Sequence, residues 1–435
     1  MKKIWLLLFC SMLLLAQGRM LSPIPLPTWH IVDLDTENYD EYDLQRLLDE
    51  GQVFTFLAKS AHVSNPRLKT LRQTYMAMFN IAGGTAGATV RIAFIVPKII
   101  GKYARTTTRS ALGYLIDRGT PFEMDVYPLS DEGNATIDEA LAQIGSRLYD
   151  LVVAPVTTKG AAYLCSRSLN HRLYIPTLHK SRSECGNDMV TFGGIDYEKQ
   201  VETLSYLVES NATTVSVTDG SPLSQRLDAM VRMHLDVDDM LTLPRNGYYK
   251  NIIARHEDLN QSTLFLNTPI LKSSLFLTQL TLADFKPALV LSTQLNYSPL
   301  LLTLTQYHDR ENMVLASSIG KMDAFAGENI ALLGEDVRFN WLNYATVVGI
   351  DTAYMQATGN RRLTEESTID GAVDYSLRLY EAGLYRFIPR ALPEPPENRI
   401  EENPMNDEGE NGVDSNGLEE EPSVYDSEFQ SEMIE

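Results

Sequence analysis

Few residues in this chain stand in a pattern that does chemistry. Its 435 residues include seven histidines and three cysteines. There is no Gly-x-Ser-x-Gly elbow, no His-Glu-x-x-His and no Gly-x-Gly-x-x-Gly behind a strand. His256-Glu257-Asp258 sets one imidazole beside two carboxylates in a polar loop, which reads as surface. Asp236, Asp238 and Asp239 read as solvated acids. Asp33 and Asp35 open like a calcium loop, but Asn38 takes the glycine position and Leu44 the closing glutamate position, which excludes it. Gly83, Gly84 and Gly87 lack a Lys-Ser/Thr ending and precede a strand, so they read as a joint. No catalytic residue, cofactor or metal site is expected, and the chain does not read as an enzyme.

The remaining candidates are short polar side chains just behind apolar runs. Thr157 and Thr158 follow 151–154; Thr177, His179 and Ser181 follow 173–175; Thr218 and Asp219 follow 215–217. Thr293 follows 288–291, and Ser317 follows 313–316. Ligands of open parallel sheets sit outside the carboxyl ends of the strands, so these residues are the candidate ligand-binding set. Serine and threonine are also favoured helix caps, which is the competing role for each.

The runs that carry them are strands by composition. Residues 89–97, Thr-Val-Arg-Ile-Ala-Phe-Ile-Val-Pro, are apolar, rich in β-branched residues and closed by proline. Further strands are expected near 122–127, 151–154, 173–175, 189–192, 215–217, 264–266, 288–291 and 313–316. Between them fall helical patterns, including one opened by Thr136 with Glu139 as a capping box. A long amphipathic helix is expected over 339–356 and a last helix over 373–382. Continuously apolar strands alternating with helices predict parallel sheets covered on both faces. One sheet of so many strands is uncommon, so two Rossmann-like lobes are expected. Lobe 1 takes 88–194 plus about 318–360, and lobe 2 takes 195–317 plus about 361–390. A Pro-rich start, a short helical segment and a linker fill 19–87.

The ends suit an exported protein. Lys2 and Lys3 precede the apolar run 4–16, with Gly18 behind it, which reads as a signal peptide over 1–18. The periplasm is the expected compartment, with no transmembrane segment in the mature chain. The two cysteines left after the leader, Cys165 and Cys185, are expected to form a disulfide there. From Pro393 onward fifteen acidic residues face one basic residue, so much of the net charge of −20 sits in the tail. Residues 391–435 are expected to be disordered. No basic stripe exists, which argues against nucleic acid.

Residues 88–390 resemble the type I periplasmic binding proteins, the class of leucine/isoleucine/valine receptors. The supporting residues are Arg91 to Pro97, Ala154-Pro155-Val156-Thr157-Thr158 and Ile175-Pro176-Thr177. The resemblance implies two lobes linked by three crossovers, with a ligand cleft between them. Ser221 to Arg226, Phe285 to Leu291 and Met313 to Ser318 are similar to the penicillin-binding-protein activator branch. That branch implies an envelope interaction protein, such as a regulator of peptidoglycan synthesis. The two expectations for a partner are thus a small polar ligand and an envelope protein. Three segments also resemble the acidic-x-Asn-x-Ser/Thr acceptor of bacterial N-glycosylation, at Asn134, Asn211 and Asn260, all expected in loops.

Overall fold

The computed structural model describes residues 30–33, 35, 37–79, 81 and 89–395. The expected leader, the linker over 82–88 and the tail from 396 lie outside the described residues.

The helical segment forms a compact unit of its own. Its helices are Glu41–Asp49, Val53–Lys59 and Pro66–Met78. Asp40 and Asp43 close the first with a reciprocal capping box. Leu44, Leu47, Phe56, Leu57 and Leu68 fill its core.

The second unit holds two seven-stranded sheets. The first begins with β1 (Val90–Pro97), β2 (Phe122–Leu129), β3 (Leu151–Val153), β4 (Leu173–Ile175) and β5 (Val190–Phe192). The second begins with β6 (Thr214–Thr218), β7 (Asp239–Thr242), β8 (Thr263–Leu266), β9 (Leu289–Ser292) and β10 (Met313–Ser317). All pairings among these are parallel. The return of the chain adds β11 (Ser367–Ile369) and β12 (Ala372–Asp374) to the first sheet, then β13 (Arg378–Ala382) and β14 (Phe387–Arg390) to the second. The orders are β11-β12-β5-β4-β3-β1-β2 and β14-β13-β10-β9-β8-β6-β7. The chain crosses between sheets three times: after β5, after β10 and after β12. This is the expected α/β class with two Rossmann-like, mainly parallel lobes.

Several local expectations are corrected. Residues 373–382 hold no helix but the end of β12 and the whole of β13, and β11 and β12 extend the first sheet where 361–390 is expected in the second lobe. The helix expected from Thr136 starts at Asn134 with Gly133 as its N-cap and no side-chain cap, and the Thr136 hydroxyl donates instead to Asp131, which also accepts from the Gly133 amide. The helix Trp341–Thr358 is not amphipathic: it is buried almost all round. It packs against the helix Gly101–Arg118 and against β1. Close approach to β4 requires Gly349, where a Cβ would meet the Tyr174 ring at 2.4 Å. The Tyr174 hydroxyl donates to the Ala345 carbonyl of the same helix at 2.6 Å.

Cys165 and Cys185 are bonded, with Cα atoms 5.4 Å apart. The bridge ties the end of the helix Thr158–Cys165 to the segment entering β5. By loop entropy a closure of this length contributes about 3 kcal/mol. Arg310 is 2% exposed, and among the described residues no carboxylate forms an ion pair with it. Its guanidinium donates to the carbonyls of Thr305, Gly383 and Leu384, pinning the turn between β13 and β14 to lobe 2.

Candidate functional site

In both lobes strand order reverses at the first strand, and crevices of such sheets open at the carboxyl ends. A recess lies there between the lobes. Thr157 enters it behind β3, and Thr177, His179 and Arg182 behind β4. Tyr197 comes from the first crossover helix, Tyr197–Ser205, and Arg226 from the helix Pro222–His234 behind β6. Tyr103 and Trp341 supply apolar wall. The cavity it encloses is about 80 Å³. Its walls are therefore close together, and it suits a small or flat group rather than a drug-sized solute.

The lining carries two guanidiniums: among the described residues Arg182 and Arg226 face the recess beside the His179 imidazole, and no carboxylate does. Asp196 stands behind, 4.0 Å from His179 Nε2, and caps the helix Tyr197–Ser205 by accepting from the Glu198 and Lys199 amides. His179 Nδ1 is fixed by the Ser181 hydroxyl at 2.9 Å. Burial pushes the Tyr197 phenol up to about 12, against the pull of Arg226. Tyr197 thus stays a neutral hydrogen-bond donor at neutral pH. Thr177 is turned away, its hydroxyl donating to the Val156 carbonyl at 2.6 Å.

Thr157 is bonded to Glu132, which is 6% exposed. The Glu132 carboxylate accepts from the Thr157 amide at 2.9 Å, the Gly160 amide at 3.1 Å and the Thr157 hydroxyl. An internal anion therefore occupies the N-terminus of the helix Thr158–Cys165, where the helix dipole favours one. Gly160 makes room for it, since a Cβ there would meet Oε2 at 2.8 Å.

The structure brings Thr157, Thr177 and His179 together and leaves the other candidates outside. Ser181 borders an open groove with Lys180 and Asp370. Thr158 is helical, with its hydroxyl buried behind the wall. Thr218 bonds Thr242 at 3.2 Å across β6 and β7. Asp219 accepts from Lys272 at 2.7 Å and from the Ser221 amide and hydroxyl. Burial works to raise Asp219, but those hydrogen bonds outweigh it and hold the carboxyl below its usual range. Thr293 and Ser317 are buried in lobe 2, Ser317 accepting from the Ile319 amide. These five have turned into the fold, so the ligand-facing expectation is withdrawn for them. Arg182, Tyr197 and Arg226 were not foreseen. Glu132, read only as the acid of an acceptor segment, holds the site's framework instead.

No protein-family profile and no curated protein matches the sequence. Solved structures do. A branched-chain amino acid ABC transporter protein of Thermus thermophilus with bound valine superposes with a TM-score of 0.50 at 14% identity, over 71% of this chain and 97% of that one. A putative branched-chain amino acid ABC transporter protein of Rhodospirillum rubrum gives 0.51 at 13% identity, over 69% and 99%. The chain thus has the type I periplasmic binding protein fold. No described helix is long and apolar enough to cross a membrane.

Proposed function

We propose that the protein is an exported, non-enzymatic receptor or sensor of the periplasm whose lobes hold a small polar ligand bearing an acidic group. The observation that carries this is the meeting of His179, Arg182 and Arg226 at the carboxyl ends of two facing sheets, with no carboxylate in the lining among the described residues. A thermal-shift panel of small carboxylic acids, amino acids, sugars and peptidoglycan fragments tests it. At saturating ligand an acid will raise the melting temperature by about 5 °C. Arg226→Ala and Arg182→Ala will each abolish that rise. A flat response across the panel ends the receptor reading.

The second reading is an envelope interaction protein, such as a regulator of peptidoglycan synthesis, whose cleft is not a solute site. The narrowness of the recess favours it, as do the exposed leucines of lobe 2. These are Leu271, Leu275 and Leu282 on the helix Ile270–Leu282, and Leu300 and Leu304 on the helix Pro299–Leu304. Co-purification of one envelope protein with a chain that answers no ligand is its signature.

Of the three resemblances to glycan acceptors, we propose that only Asn211 is used on the folded chain. Glu209, Asn211 and Thr213 are all exposed in the turn before β6. At Asn134, the first residue of a helix rather than a loop, the required acid is the buried Glu132. At Asn260 the required hydroxyl, Ser262, is fully buried and donates to the Leu259 carbonyl. Intact-mass measurement of protein from the native host will show one glycan, lost in Asn211→Gln. An unmodified mass, or one indifferent to that change, refutes it.

A further inference from the structure

We propose that Asp239, His256 and Asp258 form a binding site for a divalent transition ion of the zinc class on lobe 2. They come from two places in the fold. Asp239 opens β7, the edge strand of the second sheet. His256 lies between the helix Lys250–Ile253 and the turn Glu257–Leu259, which carries Asp258. Ile253 and Leu259, both fully buried, anchor that connection on either side of His256. The fold therefore delivers an imidazole to two carboxylates that the sequence keeps apart.

Their distances suit one ion. His256 Nδ1 lies 2.7 Å from Asp239 Oδ2 and 4.0 Å from Asp258 Oδ1. All three ligand atoms fall within 4.8 Å of one another. Bonds of about 2.0–2.2 Å to a tetrahedral ion would set the ligand atoms roughly 3.4 Å apart. Reaching that from the present positions takes shifts of less than about 1 Å, within the freedom of half-exposed side chains. Asp239 is held for the role: its Oδ1 accepts from the Met240 amide at 2.8 Å, which leaves Oδ2 toward the imidazole. One imidazole and two carboxylates balance a dication, and water can take the fourth position. Binding requires the Nδ1 proton to leave to solvent. Asp236, Asp238 and Glu257 flank the site in sequence, against the single cation Arg255, so the surroundings also favour positive charge. The site is at the amino end of β7, whereas the recess opens at carboxyl ends, so the two can be tested separately.

Titration of the purified full chain with zinc against a chromophoric chelator tests this. One equivalent of ion is expected to bind. His256→Ala will weaken binding at least about 100-fold, beyond the 10- to 100-fold typical of losing an outer-sphere partner. Asp239→Asn and Asp258→Asn will each weaken it at least about tenfold. Cobalt(II) will give a visible absorption band in the wild type that His256→Ala lacks. His179→Ala, in the recess, will bind as the wild type does. Unfolding curves for each variant separate a lost ligand from a lost fold. Absence of one-to-one binding, or undiminished binding by a folded His256→Ala chain, overturns the proposal.

Discussion

Replacing Asp351 with alanine will destabilise the protein by about 3–5 kcal/mol, the cost of breaking a buried charged network from one side. Asp351 is fully buried in the middle of the helix Trp341–Thr358. Its carboxylate accepts from the Tyr114 hydroxyl at 2.5 Å, the Thr364 amide at 2.8 Å and the Thr364 hydroxyl at 2.6 Å. The Leu363 amide at 3.0 Å and Arg362 Nε at 3.3 Å complete the set. Burial first, and then the Asp351 charge, raise the Tyr114 phenol far above its usual range, so Tyr114 remains a donor. Alanine would leave all these donors without their shared acceptor. The network does more than fill the core. It clamps residues 362–364, and these lead straight into β11 and β12 at the edge of the first sheet. Asparagine keeps the shape but turns an amide donor toward other donors, so Asp351→Asn should lose about half as much. Urea unfolding reads both variants through the midpoint at constant slope. A loss under about 1 kcal/mol for Asp351→Ala would mean the network is solvated rather than closed.

That clamp also shows why part of the fold was legible and part was not. The parallel strands are buried on both faces, so Val90–Pro97 or Thr263–Leu266 reads as an unbroken apolar run whatever surrounds it. Edge strands have no such signature. β7 begins with an acid and shows one side to solvent, and it was not foreseen. Residues 373–382 place the buried Tyr375, Leu379 and Ala382 at i, i+4 and i+7, where a helix would also place them, and it is pairing with β10 that makes a strand of 378–382 and pairing with β11 and β5 that makes one of 372–374. The site was half legible for a related reason. Strand-end hydroxyls are visible because they directly follow the apolar run, but most are drawn into capping and pairing. The cations arrive from further on, Arg182 from a short turn and Arg226 from the second turn of a helix. Long side chains reach a cleft that their backbone positions do not mark. Likewise nothing in Glu132 itself distinguishes a buried acceptor from a surface acid.

Glu132 is where that hidden chemistry has its largest expected effect on the site. Glu132→Ala will cost about 3 kcal/mol, because two amides and a hydroxyl at a helix N-terminus lose a charged acceptor while still buried. It will also leave a carboxylate-sized space at that terminus. Formate or acetate should enter it and restore about half the lost stability at concentrations that leave the wild type unmoved. Glu132→Gln fills the space and keeps one acceptor, so it should lose about half as much and gain nothing from either anion. The comparison matters for the recess because Thr157 belongs to both. With Glu132 in place, the positive end of the helix Thr158–Cys165 is already neutralised when a ligand arrives. The attraction for an acidic ligand then falls to Arg182, Arg226 and His179. Removing Glu132 adds a second anion position on lobe 1, so the alanine variant should bind acids even when Arg226 is also replaced. Calorimetric titration with formate measures this directly. If the alanine variant takes up no more anion than the wild type, Glu132 is a structural acid alone, and selectivity in the recess is set without it.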